Sequence, residues 1–394
     1  VLKETGSIYV HCDPTASHYL KMLMDAIFGA ENFLNEIVWY YRGAGVPKEA
    51  RARRHDILLW YAKRAGFHYF DPDPIRQPYA EATVERFSHY IGNVRGGHDF
   101  GQQALHPEGK HPDDVITHIQ PIAPSAKARL GYPTQKPEEL LENVILSSSR
   151  EGEVVLDPFC GCGTTIAVAH RSGRRWIGID ITSLATNLIK YRLQDVFGPK
   201  VTDSYETHGE PVTVEEARAL ALDDRHEFEN WALGLVGARK TDPKKGADKG
   251  IDGRFYFHET AGGDTRQVIL SVKSGKVQRS DVHELRGVLE REKAQIGVLI
   301  TLNEATRPMT QDAVAAGFHE SPWGKHPRIQ ILTVEDLLAG AKIDYPAVTG
   351  APATFRHVPK LRKVAEPTPT VFGEVVAPEL VPLVARPKKR PKQS

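Results

Sequence analysis

VLDPFCGCGTT, residues 155–165, is the stretch that decides the fold. An apolar run ends on Asp157, glycines follow at 161 and 163, and two threonines open the next segment. Glycine is needed where a chain turns tightly or where a ligand presses on the backbone. The free N–H groups of the helix that follows then face the polar end of that ligand. The next strand, RWIGIDI (175–181), brings Asp180 to its end. An acid about 20 residues beyond such a turn is placed to accept hydrogen bonds from two ribose hydroxyls. Two glycines alone are equally a plain tight turn. The order strand, turn, helix, strand, acid is what points to a nucleoside cofactor.

The rest of the chain sets bounds on that reading. With 394 residues it is too long for one typical core and divides into two or three domains. A hydrophobic content of 40% and a charged content of 26% are those of an ordinary soluble protein. The formal net charge of +1 means that a polyanion would be held by local basic patches and not by a global field. Cys12, Cys160 and Cys162 are too few for a disulfide framework and lack companions at metal-ligand spacing, so they read as reduced thiols of a cytoplasmic protein. No apolar run approaches the roughly 18–20 residues of a membrane span, and no membrane partner is expected.

Working outward, GSIYVHCD (6–13) reads as a strand and SHYLKMLMDAIFG as a helix with Leu20, Leu23, Met24, Ile27 and Phe28 on one face. NEIVWYYR (35–42) and HDILLWYAK (55–63) are further strands. Residues 64–131 show no sustained period and form a long insertion. YPTQKPEELLENVILSSS (132–149) is a turn and a helix with Pro137 in its first turn. Strand 153–157, a helix from Thr164, strand 175–181 and helix 183–197 complete a β-α-β unit. Composition shifts over 198–217, a linker, and a second α/β block runs over 218–341. The tail, 342–394, is rich in proline and in Lys and Arg and reads as a disordered arm.

DPFCGCGTT resembles the S-adenosylmethionine-binding motif D-P-F-x-G-x-G-T-T of the β-class, circularly permuted amino DNA methyltransferases. YPTQKP (132–137) matches the second cofactor-side motif of that family, and GSIYVHCDPTASHYLK and NEIVWYYR resemble its catalytic half. The resemblance covers 1–197 and implies a Rossmann-like α/β methyltransferase fold, partial at its N-terminus, with 64–131 as the target-recognition insertion. It implies that Asp157, Phe159, Gly161, Gly163 and Thr164 line the methionine and sulfonium side, that Asp180 holds the ribose, and that Thr134 helps close the pocket. The family's catalytic tetrapeptide, D-P-P-Y or a close variant, lies upstream of its TGSIY segment and grips a base flipped out of the duplex. No such tetrapeptide occurs here, and CDPT (12–15) reads as an Asp–Pro turn. The chain is therefore expected to be the downstream part of a longer enzyme, competent to bind cofactor.

The second block resembles the Mrr-like branch of the PD-(D/E)xK restriction endonucleases over roughly 225–340. The residues concerned are KKGADKGIDGRFYFHE, then RQVILSVKSGK, then SDVHELRGVLEREKAQIGVLITL. Asp252 and Lys273 on neighbouring strands could assemble a divalent metal, Mg²⁺ in the first place, and an attacking water, with Asp252 as metal ligand. Lys273 shares a strand face with Ser271 and Ile269. Ser271 stands where the family has Glu, Asp or Gln, and a hydroxyl is a poorer Mg²⁺ ligand than a carboxylate. Glu227 or Glu229 could supply the missing oxygen.

RGAGVPKEARARRHD (42–56) gathers Arg42, Lys48, Arg51, Arg53 and Arg54 in a loop that can reach phosphates, or simply be solvated. The resulting expectation is an adenine-specific DNA methyltransferase fused to a smaller α/β endonuclease-like domain. Its partners would be double-stranded DNA and a restriction or specificity subunit. Adenine over cytosine rests on family frequency alone. The alternative is a non-catalytic DNA-binding or specificity remnant.

Overall fold

The computed structural model describes residues 1–43, 47–88, 94–95, 98–99, 105–123, 135–240, 250–259 and 264–346. The chain opens with β1 (Ser7–Cys12), α1 (Ser17–Phe28), β2 (Phe33–Tyr40) and β3 (His55–Ala62). The helix α2 (Glu81–Ser88) and the two-residue strands β4 (Val94–Arg95) and β5 (His98–Asp99) follow, then β6 (Val115–Ile116). The first sheet has the order β1-β3-β2-β6. Its inner strand β3 is antiparallel to both neighbours and is buried from Ile57 to Ala62, which is why ILLWYA is apolar without alternation.

Helix α1 packs on this sheet through Met24, with Leu20 and Phe28 partly buried against Leu59 and Tyr61. The expected five-residue face is only partly correct, because Leu23 and Ile27 are more than half exposed. The cause is polar. The Tyr61 hydroxyl, on the sheet, donates to Asp25 at 2.6 Å, and Lys21 pairs with Asp25 at 2.7 Å, so the helix is rolled towards its 21/25 side. A buried tyrosine needs such a partner for its hydroxyl.

Within the expected insertion, the described residues 105–123 are tied to the first sheet. β6 adds a parallel edge to β2, Ile116 and Ile119 are buried, and the Trp39 indole N–H donates to the Ile119 carbonyl at 2.8 Å. A two-residue strand has no period to detect, so only the register with β2 reveals it.

The glycine motif belongs to a β-α-β group made of α3 (Glu138–Ser148), β7 (Val154–Asp157), α4 (Thr164–Arg171), β8 (Arg175–Gly178) and α5 (Ser183–Phe197), with Leu140 of α3 packed on Trp39 and Leu58 of the first sheet. β7 and β8 pair in parallel, as their connection through the helix α4 allows. One face of the pair packs Val155 and Trp176 against α3 and α4. The other leaves Val154, Leu156, Ile177 and Ile179 half exposed. Among the described residues β1 and β7 each have a paired strand on one side only, so the expected Rossmann-like sheet is present as two pieces.

The predicted linker is structured in part. A 3-10 turn over Pro199–Ser204 buries Val201 under α5, and α6 (Val214–Asp223) starts inside it at a reciprocal Thr213–Glu216 capping box. The C-terminal block comprises α7 (Arg225–Leu235), β9 (Arg239–Lys240), β10 (Gly253–His258), β11 (Thr265–Lys273), α8 (Arg279–Glu292) and β12 (Ile296–Thr301). It ends with α9 (Arg307–Ala315), the hairpin β13 (Phe318–Ser321) and β14 (Gly324–Pro327), β15 (Ile329–Thr333) and α10 (Val334–Leu338). Its sheet runs β15-β12-β11-β10-β9, parallel through β11, β12 and β15. Apolar layers cover both faces, with α7 and α10 on one and α8 and α9 on the other. Residues 342–346 belong to the folded block, where Ile343 is buried and Tyr345 packs on Phe255 and Phe257. Residues 347–394 lie outside the described residues. No helix among the described residues is long and apolar enough to cross a membrane.

Candidate functional site

Asp157 and Asp180 arrive at the glycine turn from the ends of adjacent parallel strands. The Phe159 N–H donates to Asp157 Oδ1 at 3.1 Å, and the Gly161 N–H donates to Asp180 Oδ2 at 3.0 Å. Asp180 Oδ1 also accepts from the Thr182 N–H and hydroxyl, at 3.0 and 2.9 Å. A carboxylate has about four lone-pair sites, so Asp180 keeps acceptor capacity for a ligand. The two acids make the turn electronegative. Burial, then the charges of Asp157 and Asp180, push the Cys160 thiol up to about 12. Phe159 stands out at 89% exposure, an apolar surface beside the turn.

Each glycine here has its own reason. Gly161 and Gly163 have φ of +48° and +70°, in the left-handed region that disfavours a side chain. At Gly163 a Cβ would also lie 2.6 Å from Ile189 Cγ1 in α5. What required the missing side chain at 163 is therefore helix packing and the turn itself, not only a ligand. Thr164 is buried, and its hydroxyl accepts from the Arg192 guanidinium at 3.1 Å. That hydroxyl is turned into the domain and holds the turn, while the Thr164 backbone opens α4 beside Gly163. Thr134 lies outside the described residues.

The fit to a cationic nucleoside is supported by this chain's own atoms: two carboxylates flank a turn with main-chain N–H groups, at the carboxyl ends of parallel strands, where ligands bind in open α/β sheets.

CDPT is a turn, as expected: Asp13 Oδ1 accepts from the N–H groups of Thr15 and Ala16 and so leads into α1. Nearby, sequence reading missed a polar hub. Asp56 accepts from the Tyr41 hydroxyl at 3.0 Å, meets His11 Nε2 at 2.9 Å and lies 3.9 Å from Lys136, which belongs to the TQKP segment. Burial alone would raise the Asp56 carboxyl, but the bonds to His11 and Tyr41 hold it below its usual range. The signal was present as the HD that opens β3, but only the fold brings Tyr41 and Lys136 to it. In the basic loop Arg42, Lys48, Arg51 and Arg53 are exposed, Arg53 reaching the Thr15 hydroxyl at 3.2 Å, and Arg54 is half-buried.

In the C-terminal block Asp252 is drawn inward. The Val272 N–H donates to its Oδ2 at 2.6 Å and the Ser271 hydroxyl lies 3.3 Å away. Burial pushes its carboxyl up, and the negative charge of Glu229 adds to this against the pull of the Val272 N–H. Glu229 itself lies 3.5 Å from both Arg225 and His226. Glu227 instead accepts from the Ser183 N–H at the start of α5. Lys273 Nζ lies 3.8 Å from Asp281. Among the described residues no group of three His, Cys, Asp or Glu is placed to hold a metal ion. The described residues therefore do not by themselves form a three-ligand metal cage.

A family model described as DNA methylase matches residues 1–190, and one described as restriction endonuclease matches residues 223–338. The chain thus joins an N6/N4 DNA methyltransferase domain to an Mrr-like restriction endonuclease catalytic domain. The type II methyltransferase M.HpaI of Haemophilus parainfluenzae is 32% identical over 199 residues, covering 50% of this chain and 56% of that protein. The DNA adenine methyltransferase YhdJ of Escherichia coli (strain K12) is 32% identical over 188 residues, covering 46% of this chain and 58% of that protein. The chain spans about half the length of the curated relatives it matches. Among solved structures, the M1.HpyAVI–SAM complex aligns with a TM-score of 0.33 and 21% identity, over 48% of this chain and 76% of that one.

Proposed function

We propose that this chain carries the cofactor-binding part of an adenine-N6 DNA methyltransferase, with S-adenosylmethionine as methyl donor. The observation that carries this is the convergence of Asp157 and Asp180 on the Gly161–Gly163 turn. A sulfonium and an α-ammonium both favour such a negative environment, and a ribose hydroxyl can use the spare lone pair of Asp180. When bound, the cofactor supplies an activated methyl group. The chain's own residues hold the donor, exclude alternatives to one orientation and present DNA to it. Arg42, Lys48, Arg51, Arg53 and Arg54 engage phosphates of double-stranded DNA, and the substrate base is reached by extrusion from the stack. Adenine over cytosine is supported by the adenine methyltransferase named above. Catalysis is by positioning. The sequence has no D-P-P-Y tetrapeptide, so base capture requires a further methyltransferase segment or subunit.

Titration calorimetry of the 394-residue chain with S-adenosylhomocysteine tests the reading. Saturable binding that is lost in Asp180→Ala, with the fold retained, is the expected result. A well-folded wild-type protein that takes up none refutes it. Single-turnover methylation of adenine- or cytosine-containing duplexes, with and without a tetrapeptide-bearing segment supplied in trans, then settles the base.

For the endonuclease domain a second reading has a specific observation in its favour. The bonding of Asp252 to Val272 and Ser271, with a hydroxyl in place of a second ligand, suits a domain that holds DNA without cutting it. Cleavage of unmethylated or methylated DNA with Mg²⁺ or Mn²⁺ would overturn this reading and assign the work to Asp252, Glu229 and Lys273.

A further inference from the structure

Arg192, in α5, is the one charged side chain among the described residues that is fully buried, at 1% exposure. Its guanidinium spans two segments that are distant in sequence. Nη1 donates to the Cys162 carbonyl and to the Thr164 hydroxyl, both at 3.1 Å. Nη2 donates to Glu138 Oε1 at 2.6 Å. Glu138 is the first residue of α3, directly after TQKP, and its other oxygen accepts from Arg171 at 2.8 Å.

Burying a guanidinium is costly, and its Nε has no partner among the described residues, which adds to the cost. An apolar side chain of similar volume would pack between α4 and α5 without that penalty. Stability is therefore a poor account of Arg192. What an apolar side chain could not do is grip a main-chain carbonyl inside the glycine turn and a carboxylate at the head of α3 at once. Only a planar fork with several donors does this.

We infer that Arg192 is a positioning residue, which with Glu138 locks the glycine turn to the head of α3 and so sets the shape of the cofactor site. This rests on the cofactor reading above. The carbonyl of Cys162 and the hydroxyl of Thr164 flank Gly163, so fixing them fixes the direction of the N–H groups at the start of α4. Preorganised donors of this kind keep their bonding to a ligand from being spent on ordering the loop.

The test uses the full chain and S-adenosylhomocysteine. The double variant Arg192→Met with Glu138→Gln removes the clamp while an amide oxygen still receives Arg171. Its unfolding midpoint should stay close to wild type or rise. Its dissociation constant should rise about tenfold or more. A merely structural ion pair gives the reverse pattern: a lowered midpoint and an unchanged affinity in the folded protein. Arg192→Lys keeps the charge and loses the fork, and should weaken binding at least threefold. It decides the matter if the double variant does not fold. Folded variants that bind within twofold of wild type overturn the inference alone. A folded wild-type chain that binds no S-adenosylhomocysteine overturns the cofactor reading, and this inference falls with it.

Discussion

Gly163→Ala is the sharpest probe of the local architecture. The backbone at 163 has a φ of +70°, and a Cβ built there lies 2.6 Å from Ile189 Cγ1 and 3.2 Å from its Cγ2. Those atoms are close to the backbone of a β-branched side chain in a helix, so they cannot swing away cheaply. The left-handed conformation costs alanine about 1–2 kcal/mol. Overpacking against Ile189 adds about 1–3 kcal/mol, so the sum is about 2–5 kcal/mol. Only the second part depends on Ile189. Ile189→Ala alone leaves a cavity and costs about 2–5 kcal/mol. Combined with Gly163→Ala it should recover the packing part, a favourable coupling of about 1–3 kcal/mol. The chain has more than one domain, so the transition of the domain that carries the substitution is followed by itself. Native-state hydrogen exchange over residues 154–197 reads the affected unit directly. A single-variant loss below about 0.5 kcal/mol, or coupling below about 0.5 kcal/mol, would refute the claim that Gly163 is there for the turn and for α5.

Asp252 gives a pH signature. Its folded carboxyl is raised by burial, so the native state holds a proton that the unfolded chain has already lost, and stability declines as pH rises from about 3.9 through the folded value. Asp252→Asn, which still accepts from Val272, should match wild type near pH 3 and exceed it at pH 7 in urea melts. Equal stability at both would exclude the buried charge as a burden. Replacing Ser271 by Gln or Glu puts an oxygen ligand beside Asp252. Mn²⁺ binding followed by electron paramagnetic resonance should then tighten, at a packing cost of about 1–3 kcal/mol. In the basic loop, Arg51→Ala with Arg53→Ala should lower the slope of log affinity against log salt by about 2 for duplex DNA. An unchanged slope means that this loop is only solvated.

Much of the site was legible in the residues. DPFCGCGTT and Asp180 announced a strand, a tight turn, a helix and an acid, and the fold brings Asp180 onto the Gly161 N–H. Local chemistry sufficed because left-handed turns, caps and strand periods are set within a few residues. The second block was legible for the same reason: IGVLIT is buried throughout, as a continuous apolar run in a parallel sheet predicts.

Other features depend on pairings across long separations, which no local pattern encodes. The roll of α1 away from Leu23 follows from Tyr61 meeting Asp25, 36 residues apart. The strand at 115–116 exists because Val38 and Trp39 lie beside it. Of the two candidate acids, Glu227 caps α5 and Glu229 pairs with Arg225 and His226 while its charge acts on Asp252, although both lie in the first two turns of α7. Arg192 looks in sequence like any cation on a polar helix face, and only the packing of α3, α4 and α5 makes it the bridge between the glycine turn and Glu138. The sequence by itself determined which turn could cradle a nucleoside and which segments would be buried. The tertiary structure decided which side chains hold that turn in place, because burial and charge pairing are properties of neighbours brought together by folding.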